Sequence, residues 1–521
     1  MTTKRPPHAA VAAAASAVVP GLGQLLAGRR RRGLAFLAPH LVLLPTVAWL
    51  AGRGELGIAR LLVTPAFLRV AFVVVVALGL WRILAIVDAW RVAGGGRGVG
   101  VVVPVLLVVA VALPHGVVAA YELRAVRLLE RVFVTEPAAS AATTIPEAEI
   151  DDFALPEPTI VPRPARGGLI RRDGIGDPEA VELWHRRLQD RHAPPPFVPF
   201  HERVDADRIT ILLAGGDAGP GRSGLRTDTM IVATLDLETG RAAIFGIPRN
   251  YGHVPLPKRF EEAFVELERR LFPPPEPAPG EEPVEWEPCR CFPAQLNSLY
   301  PRTRTWRRTF QDAVDPGMEM LRRTLSYLLG LDIDYYALVD MKGFVDVVDA
   351  IGGVTVYVDK PLVTEVSPPA EGEPWIELEV DVGYHHLDGR QALAWVRARK
   401  GSSDYTRMRR QRCMLKAVAA ELDVATVLRS FPAIADAIER SVTTDVPLTL
   451  LPDLVRELGR LDLDDVVTVG LVPPYYAPER DPAFNAIPDL DRIRSKVRRV
   501  LAGESGGSGS GGDECLPPAE E

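Results

Sequence analysis

Three long apolar runs in the first quarter of the chain, at 33–51, 68–87 and 99–121, constrain its fold more than any other feature. Crossing a bilayer as a helix takes about 20 predominantly apolar residues, which these runs supply or nearly supply. A buried helical core in a soluble protein has no need of the basic residues clustered at their flanks. The second run contains Arg69 and Arg82, both near its ends, where long side chains are expected to reach the headgroups. The preceding stretch, 8–28, is rich in Ala and Val but broken by Pro20 and Gly21. It reads as interfacial or re-entrant, a fourth span being the alternative. Lys4, Arg5 and the run Arg29 to Arg32 precede the first span, and Arg91 and Arg97 lie between the second and third. By the positive-inside bias these segments face the cytoplasm, and three spans put everything after Tyr121 outside. Several spans and no clear small-residue cleavage site exclude a removable signal peptide. The expectation is a multi-pass protein of the cell membrane with an extracellular C-terminal domain.

The membrane region thus covers 1–121, and 122–206 reads as a stalk. Its first residues, 123–133, continue a helix; the rest is rich in Ala, Pro, Glu and Thr without periodicity, too poor in apolar side chains to fold alone. A globular domain follows over 207–501. Buried strands are expected at 208–214, 229–237 and 242–247, the last two flanking a hairpin-like Glu-Thr-Gly. A helix at 316–329 closes with Gly330; a strand at 333–339, a short helix at 344–350 and a strand at 354–358 succeed it. Strand–helix–strand alternation with mixed hairpins predicts an α/β fold, an α-β-α sandwich. The Pro/Glu-rich segment 272–288 reads as an inserted loop, and the Gly/Ser-rich, then acidic tail 502–521 as disordered. Tyr335, Tyr336 and Phe344 read as core. A net charge of −7 argues against a nucleic-acid partner. The four cysteines, Cys289, Cys291, Cys413 and Cys515, lack the paired CxxC spacing of a zinc site. Whether a pair bridges, and which, the sequence leaves open; Cys289 and Cys291 within one loop are one choice.

The chemistry concentrates in arginines. Arg397 and Arg399 lie two apart, on one face if the chain is an extended strand there. In a helix from Asp404, Arg407 and Gln411 sit one turn apart on a shared face. Fixed guanidinium forks aimed at one place call for an anion between them, and phosphate oxygens suit them best. Upstream, Asp217 and Asp228 are candidate metal ligands, with Arg249 beside them in sequence order. Arg409 and Arg412 read as solvated charges, and His385 and His386 as turn residues before Leu387, short of a third metal ligand.

Four segments in register carry a family resemblance: Ile-Leu-Leu-Ala-Gly-Gly-Asp ending at Asp217 with Arg-Thr-Asp-Thr-Met around Asp228; Gly-Ile-Pro-Arg ending at Arg249; Asp-Met-Lys-Gly-Phe from Asp340 with Val-Asp-Ala-Ile-Gly-Gly-Val from Val348; and Leu-Asp-Gly-Arg-Gln-Ala-Leu-Ala-Trp-Val-Arg ending at Arg397 and running on through Arg407 and Gln411. Together, over about 207–422, they resemble the LytR–CpsA–Psr family of membrane-anchored cell-wall enzymes. The resemblance implies a phosphotransferase that moves a glycopolymer from a polyprenyl-pyrophosphate carrier onto peptidoglycan, with the lipid in an apolar tunnel of the sandwich. It implies Arg249, Arg397 and Arg399 as catalytic residues and Arg249, Arg397, Arg399, Arg407 and Gln411 as the pyrophosphate-binding set. Asp217 and Asp228 become ligands of Mg²⁺ or another divalent metal such as Mn²⁺. The implied partners are the carrier-linked glycopolymer, the peptidoglycan acceptor and the lipid bilayer.

Phosphoryl transfer needs positioning and charge neutralisation more than a protein nucleophile, so an acceptor sugar hydroxyl is expected to attack. Two departures stand out: the family's Pro-Arg-Asp is Pro248-Arg249-Asn250 here, and its Lys-Ile-Asn is Gln295-Leu296-Asn297. Two other functions fit the same residues. With water as nucleophile the site is a polyprenyl-pyrophosphate pyrophosphatase; without turnover the protein is a membrane-bound glycopolymer-binding or regulatory module.

Overall fold

The computed structural model describes residues 8–96, 101–134, 208–217, 225–273, 288–311, 313–369, 372–399, 403–422, 424–462, 465–504 and 515. Most of the stalk, the Pro-rich segment and the tail thus lie outside the described residues. The chain divides into two compact units, one of 1–135 with 447–460, the other of 136–446 with 461–521.

The first unit is helical: α1 (Ala9–Val18), α2 (Leu22–Leu26), α3 (Arg30–Ala51), α4 (Gly54–Leu62), α5 (Pro65–Val92) and α6 (Val102–Val132). α3, α5 and α6 are each long and apolar enough to cross a membrane. α6 carries the third span on to Val132, as the helical start of the stalk requires. Ten residues of α1 reach only about 15 Å, half a hydrocarbon core. It packs as a small-residue face instead, with Ala13 and Ala17 beside Ile86 of α5 and Val111 of α6. The polar atoms of this hairpin are satisfied internally. Ser16 donates to Gln24 Oε1 at 2.8 Å, and Gln24 Nε2 donates to the Ala85 carbonyl at 2.9 Å. Arg82 and Arg69 do more than reach for headgroups. Arg82 donates to the Ala17 carbonyl at 2.6 Å, one of the acceptors a helix end leaves open, and Arg69 pairs with Glu130.

The stretch 447–460, expected inside the globular domain, belongs to this helical unit. Pro447 bridges to Val134, the Leu451–Leu458 helix follows, and Asp453 pairs with Arg60 of α4 at 3.0 Å. A Cβ on Gly459 would lie 2.1 Å from a Leu56 methyl, which would have to turn aside.

The second unit is built on a six-stranded mixed sheet in the order β11-β6-β1-β2-β3-β12. Its strands are β1 (Arg208–Gly216), β2 (Thr227–Asp236), β3 (Ala242–Gly246), β6 (Tyr335–Asp340), β11 (Val442–Thr444) and β12 (Val467–Gly470). β4 (Val254–Pro255) with β5 (Cys291–Phe292), β7 (Val354–Val358) with β10 (Gly383–Leu387), and β8 (Leu362–Val366) with β9 (Ile376–Val380) form small antiparallel ladders. The helices are α7 (Val265–Leu271), α8 (Pro316–Leu329), α9 (Met341–Ile351), α10 (Gly389–Arg397), α11 (Asp404–Glu421), α12 (Val424–Ser441) and α13 (Leu490–Leu501).

The strands show the period of two that a sheet covered on both faces demands. Leu212, Met230, Val232 and Phe245 point into one core with Leu321 and Leu325 of α8 and Ile493 and Val497 of α13. The intervening Leu213, Ile231, Ala233 and Ile244 meet Leu415 of α11 on the other face. This is the α-β-α arrangement expected. Full burial of side chains such as Phe245 and Leu212 contributes about 1.5–3 kcal/mol each. The Asp315 side chain caps α8 by accepting from Gly317 N and Met318 N, and Gly330 ends it at φ +63°.

Three elements differ from expectation. Trp395, Val396 and Arg397 are helical, not extended, because Asp388 and Gln391 form a reciprocal capping box that starts α10, and Leu393, Trp395 and Val396 turn into a second core with β7, β8 and β9. His385 and His386 lie in β10, paired with Val356 and Thr355, rather than in a turn. Cys515, in the tail expected to be disordered, is disulfide-bonded to Cys413 of α11.

A candidate pyrophosphate site

Asp217, Asp228 and Arg249 are brought together by the sheet. β1 and β2 are antiparallel, so Gly216 at the end of β1 faces Thr227 at the start of β2, and their flanking acids lie at one edge. Asp217 N donates to the Arg226 carbonyl at 2.7 Å. The register slips between Gly215 and Gly216, and a Cβ on Gly215 would come within 2.9 Å of Thr229, so the chain passes here only as glycine. β3 leaves the same edge through Pro248 and delivers Arg249.

Asp228 is the hub. Arg249 Nη1 donates to its Oδ2 at 2.5 Å, Asn297 Nδ2 donates to its Oδ1 at 2.6 Å, and Arg399 and Arg407 each stand 3.8 Å from Oδ2. Burial opposes ionisation of Asp228, but Arg249, the Asn297 hydrogen bond, Arg407 and Arg399 outweigh it and hold the carboxyl below its ordinary range. Asp404, the first residue of α11, lies 3.2 Å from Arg407 and 3.4 Å from Arg249. Arg397 reaches a second point: its Nη2 is 3.9 Å from Asp217 Oδ1, while Nη1 donates to the Ser367 carbonyl at 2.7 Å.

Arg397 and Arg399 thus converge from a helix end and the coil after it. Arg410 of α11 donates to the Ala398 carbonyl between them at 3.1 Å and fixes that coil. Gln411 lies on α11 one turn beyond Arg407, half-buried. Only 4% of the Arg407 side chain is exposed. Burial first, then the neighbouring Arg249, lower its pKa to about 10 against the opposing pull of Asp404 and Asp228. Four arginines meet three carboxylates here, and a guanidinium so crowded gains from any added anion.

Asn297 and Asp404 were not among the sequence candidates, although both stand within quoted segments. Each offers its own signal: Asn297 closes the Gln-Leu-Asn segment that aligns with the family's Lys-Ile-Asn, and Asp404 sits at a helix start between arginines. Arg409 keeps contact with solvent, as expected, whereas Arg412 does not. Arg409 pairs with Asp359 at 2.5 Å, and Arg412 is buried, its guanidinium beside Gly246 and Gly470. Asn250 keeps a buried Oδ1 with no hydrogen-bond partner among the described residues, and Gln295 is exposed. His385 and His386 bond separate carbonyls, those of Asp381 and Gly352.

The fold and site define a mixed α/β domain with a cluster of four arginines and three carboxylates at one edge of its sheet. Residues 283–472 match the LytR_cpsA_psr family model. Asp217, Asp228 and Arg249 precede the matched stretch, yet they meet its Asn297, Arg397, Arg399 and Arg407. Among curated proteins the chain is similar to Biofilm regulatory protein A of Streptococcus mutans, 31% identical over 137 residues, 26% of this chain and 32% of that protein. It is 34% identical over 142 residues to the polyisoprenyl-teichoic acid–peptidoglycan teichoic acid transferase TagU of Bacillus mycoides, 27% of this chain and 43% of the relative. The chain therefore spans less than half the length of these relatives. The crystal structure of B. subtilis TagV is similar over 57% of this chain and 96% of that one, at 22% identity and a TM-score of 0.40.

Proposed function

We propose that this protein is a membrane-anchored phosphotransferase that moves a glycopolymer from a polyprenyl-pyrophosphate carrier onto peptidoglycan. The observation that carries the reading is the convergence of Arg249, Arg399 and Arg407 on Asp228, with Arg397 beside Asp217. Such a cluster is suited to a pyrophosphate, whose charge it would neutralise and whose two phosphates it would hold apart.

In this reading an acceptor sugar hydroxyl attacks the phosphorus on the glycopolymer side. A new O–P bond forms, the bridging P–O bond breaks, the hydroxyl proton passes to solvent, and the carrier leaves as polyprenyl phosphate. Arg249, Arg397 and Arg399 stabilise the charge that gathers on the leaving phosphate, and Arg407 and Gln411 hold the pyrophosphate in line. Asp228, with its pKa held down, is a poor base; its work is to space the arginines. The oxygen donors Asp217 and Asp228 fit a hard cation such as Mg²⁺ or Mn²⁺, which would add charge neutralisation at the phosphates. Asp228 would meet it with the lone pairs that Arg249 and Asn297 leave open. The three long apolar helices support a multi-pass anchor, with the arginine cluster on the extracellular side where peptidoglycan lies.

The test uses the full chain in detergent with a polyprenyl-pyrophosphate-linked glycan, with and without peptidoglycan, in Mg²⁺, Mn²⁺ or a chelator. Metal-dependent release of polyprenyl phosphate with glycan recovered on peptidoglycan bears the reading out. Hydrolysis alone, unaffected by acceptor, makes the protein a pyrophosphatase, and carrier binding without turnover makes it a binding module.

A further inference from the structure

A second cluster of chemistry-bearing side chains lies apart from the arginines. His253, Glu268, Cys289 and Cys291 are all buried, and their ligand atoms lie within 4.8 Å of one another. We propose that His253, Glu268 and the thiolates of Cys289 and Cys291 form a structural zinc site that clamps the ladder presenting Arg249 and Asn297.

Two thiolates, one imidazole and one carboxylate form a closed four-ligand set of the kind tetrahedral Zn²⁺ takes. Bonds of about 2.0 to 2.3 Å put the ligand atoms of such a site roughly 3.3 to 3.8 Å apart, so the four atoms, already within 4.8 Å of one another, need only small shifts once the two sulfurs part. The two sulfurs favour zinc over the hard cations suited to Asp217 and Asp228. The surroundings are those of a metal-bound histidine. His253 Nδ1 faces Asp481 Oδ2 at 3.2 Å, and Asp481 is itself held by Asn485 N and Nδ2, each at 2.8 Å. His253 adopts φ +50° and Arg290 φ +54°, backbone that non-glycine residues take only when their surroundings impose it. Glu268 accepts from Cys289 N at 2.8 Å.

The cysteines are joined as a disulfide in this structure, the two-electron-oxidised form of the same pair. Zinc binding needs no redox step when it meets the thiols: one Zn²⁺ displaces two thiol protons. From the disulfide, a dithiol reductant must first supply two electrons and two protons.

The site has a structural consequence for the arginine cluster. Pro255 pairs with Cys291 and Val254 with Phe292; further along, Tyr251 O accepts from Leu296 N and Arg249 O from Asn297 N. A metal at His253 and Cys291 therefore braces the ladder whose other end carries Arg249 and Asn297. Glu268 and Cys289 stand at the two ends of the Pro-rich segment, so the same ion would pin its base.

The test is metal content and free thiols of the full chain, purified in detergent without chelator from zinc-supplied cells, and again after a dithiol reductant and added ZnCl₂. One zinc per chain, absent from the Cys289→Ser/Cys291→Ser variant and weakened at least tenfold in His253→Ala, is the expected result. Because those variants risk misfolding, the intact protein is also loaded with Co²⁺, where thiolate-to-cobalt charge-transfer bands and intense tetrahedral d–d bands are expected. Zinc no higher than in the double serine variant after reduction, or a Co²⁺ spectrum without thiolate bands, overturns the proposal.

Discussion

Asn297 Nδ2 donates to Asp228 Oδ1 across 2.6 Å, joining the start of β2 to a residue 69 positions on. This bond turns the carboxylate so that Oδ2 faces Arg249, Arg399 and Arg407. Asn297 is thereby a positioning residue for the arginines without touching any of them through its side chain.

Replacing Asn297 tests that role. Hydrogen bonds to charged groups contribute about 1.5–3 kcal/mol, so Asn297→Ala is expected to lower kcat/KM for glycan release by roughly 10- to 100-fold. Asn297→Asp sets a second carboxylate against Asp228 and is expected to be worse than alanine. Kinetics of both variants, with their melting temperatures, separate misorientation from unfolding.

Arg407 is buried within the cluster, so its fork geometry counts as well as its charge. Arg407→Lys is expected to reduce kcat/KM by about 10² to 10³, close to the loss in Arg407→Ala, since lysine cannot replace two parallel N–H donors. Recovery of near-normal rates with lysine would show that a point charge suffices there.

Asp445 makes the stability of the second unit pH-dependent. Burial raises its pKa to about 7, against Arg322 and the Tyr336 N–H, which favour the ionised form. The folded pKa lies above the unfolded value, so this residue's contribution is fully present below about pH 4 and lost as pH rises toward 7. Thermal melts of the full chain from pH 4 to 8 should show that decline, and Asp445→Asn, which retains an acceptor for Tyr336 N, should make it shallower.

The Cys413–Cys515 disulfide spans 102 residues and ties the C-terminal tail to α11. Closing a loop of that length restricts the unfolded chain, typically by about 2–4 kcal/mol. Cys515→Ser is expected to lower the melting temperature by roughly 5–15 °C with little change in carrier binding. Calorimetry under non-reducing conditions, with thiol counting, checks it.

Much of this was legible in the residues. The Pro316–Leu329 helix was readable from its periodicity and from Gly330, and the β2–β3 hairpin from apolar runs around Glu-Thr-Gly. Arg397 and Arg399 share a face only if the chain is extended there, and it is helical through Arg397. The Asp388/Gln391 capping box and the apolar spacing of Leu393, Trp395 and Val396 already marked a helix. Arg409, Arg410 and Arg412 look alike in sequence, and only tertiary packing decides that Arg409 meets Asp359, Arg410 the Ala398 carbonyl, and Arg412 two glycines. The cluster at His253 was hidden more deeply, since its ligands fall at 253, 268, 289 and 291 and a scan for paired CxxC spacing passes over them.

The stretch 447–460 bears on how the protein could be shed from a cell. The chain passes between its two units at 135/136, 446/447 and 460/461, so the stalk is one of several connections. A protease that cuts once within 136–207 severs the N-terminal helices from the rest of the backbone. The C-terminal fragment still carries Asp453 against Arg60 and Pro447 against Val134. Release into the medium then requires the Leu451–Leu458 helix to leave its place beside α4, and a nicked protein is expected to remain with the membrane fraction until it does.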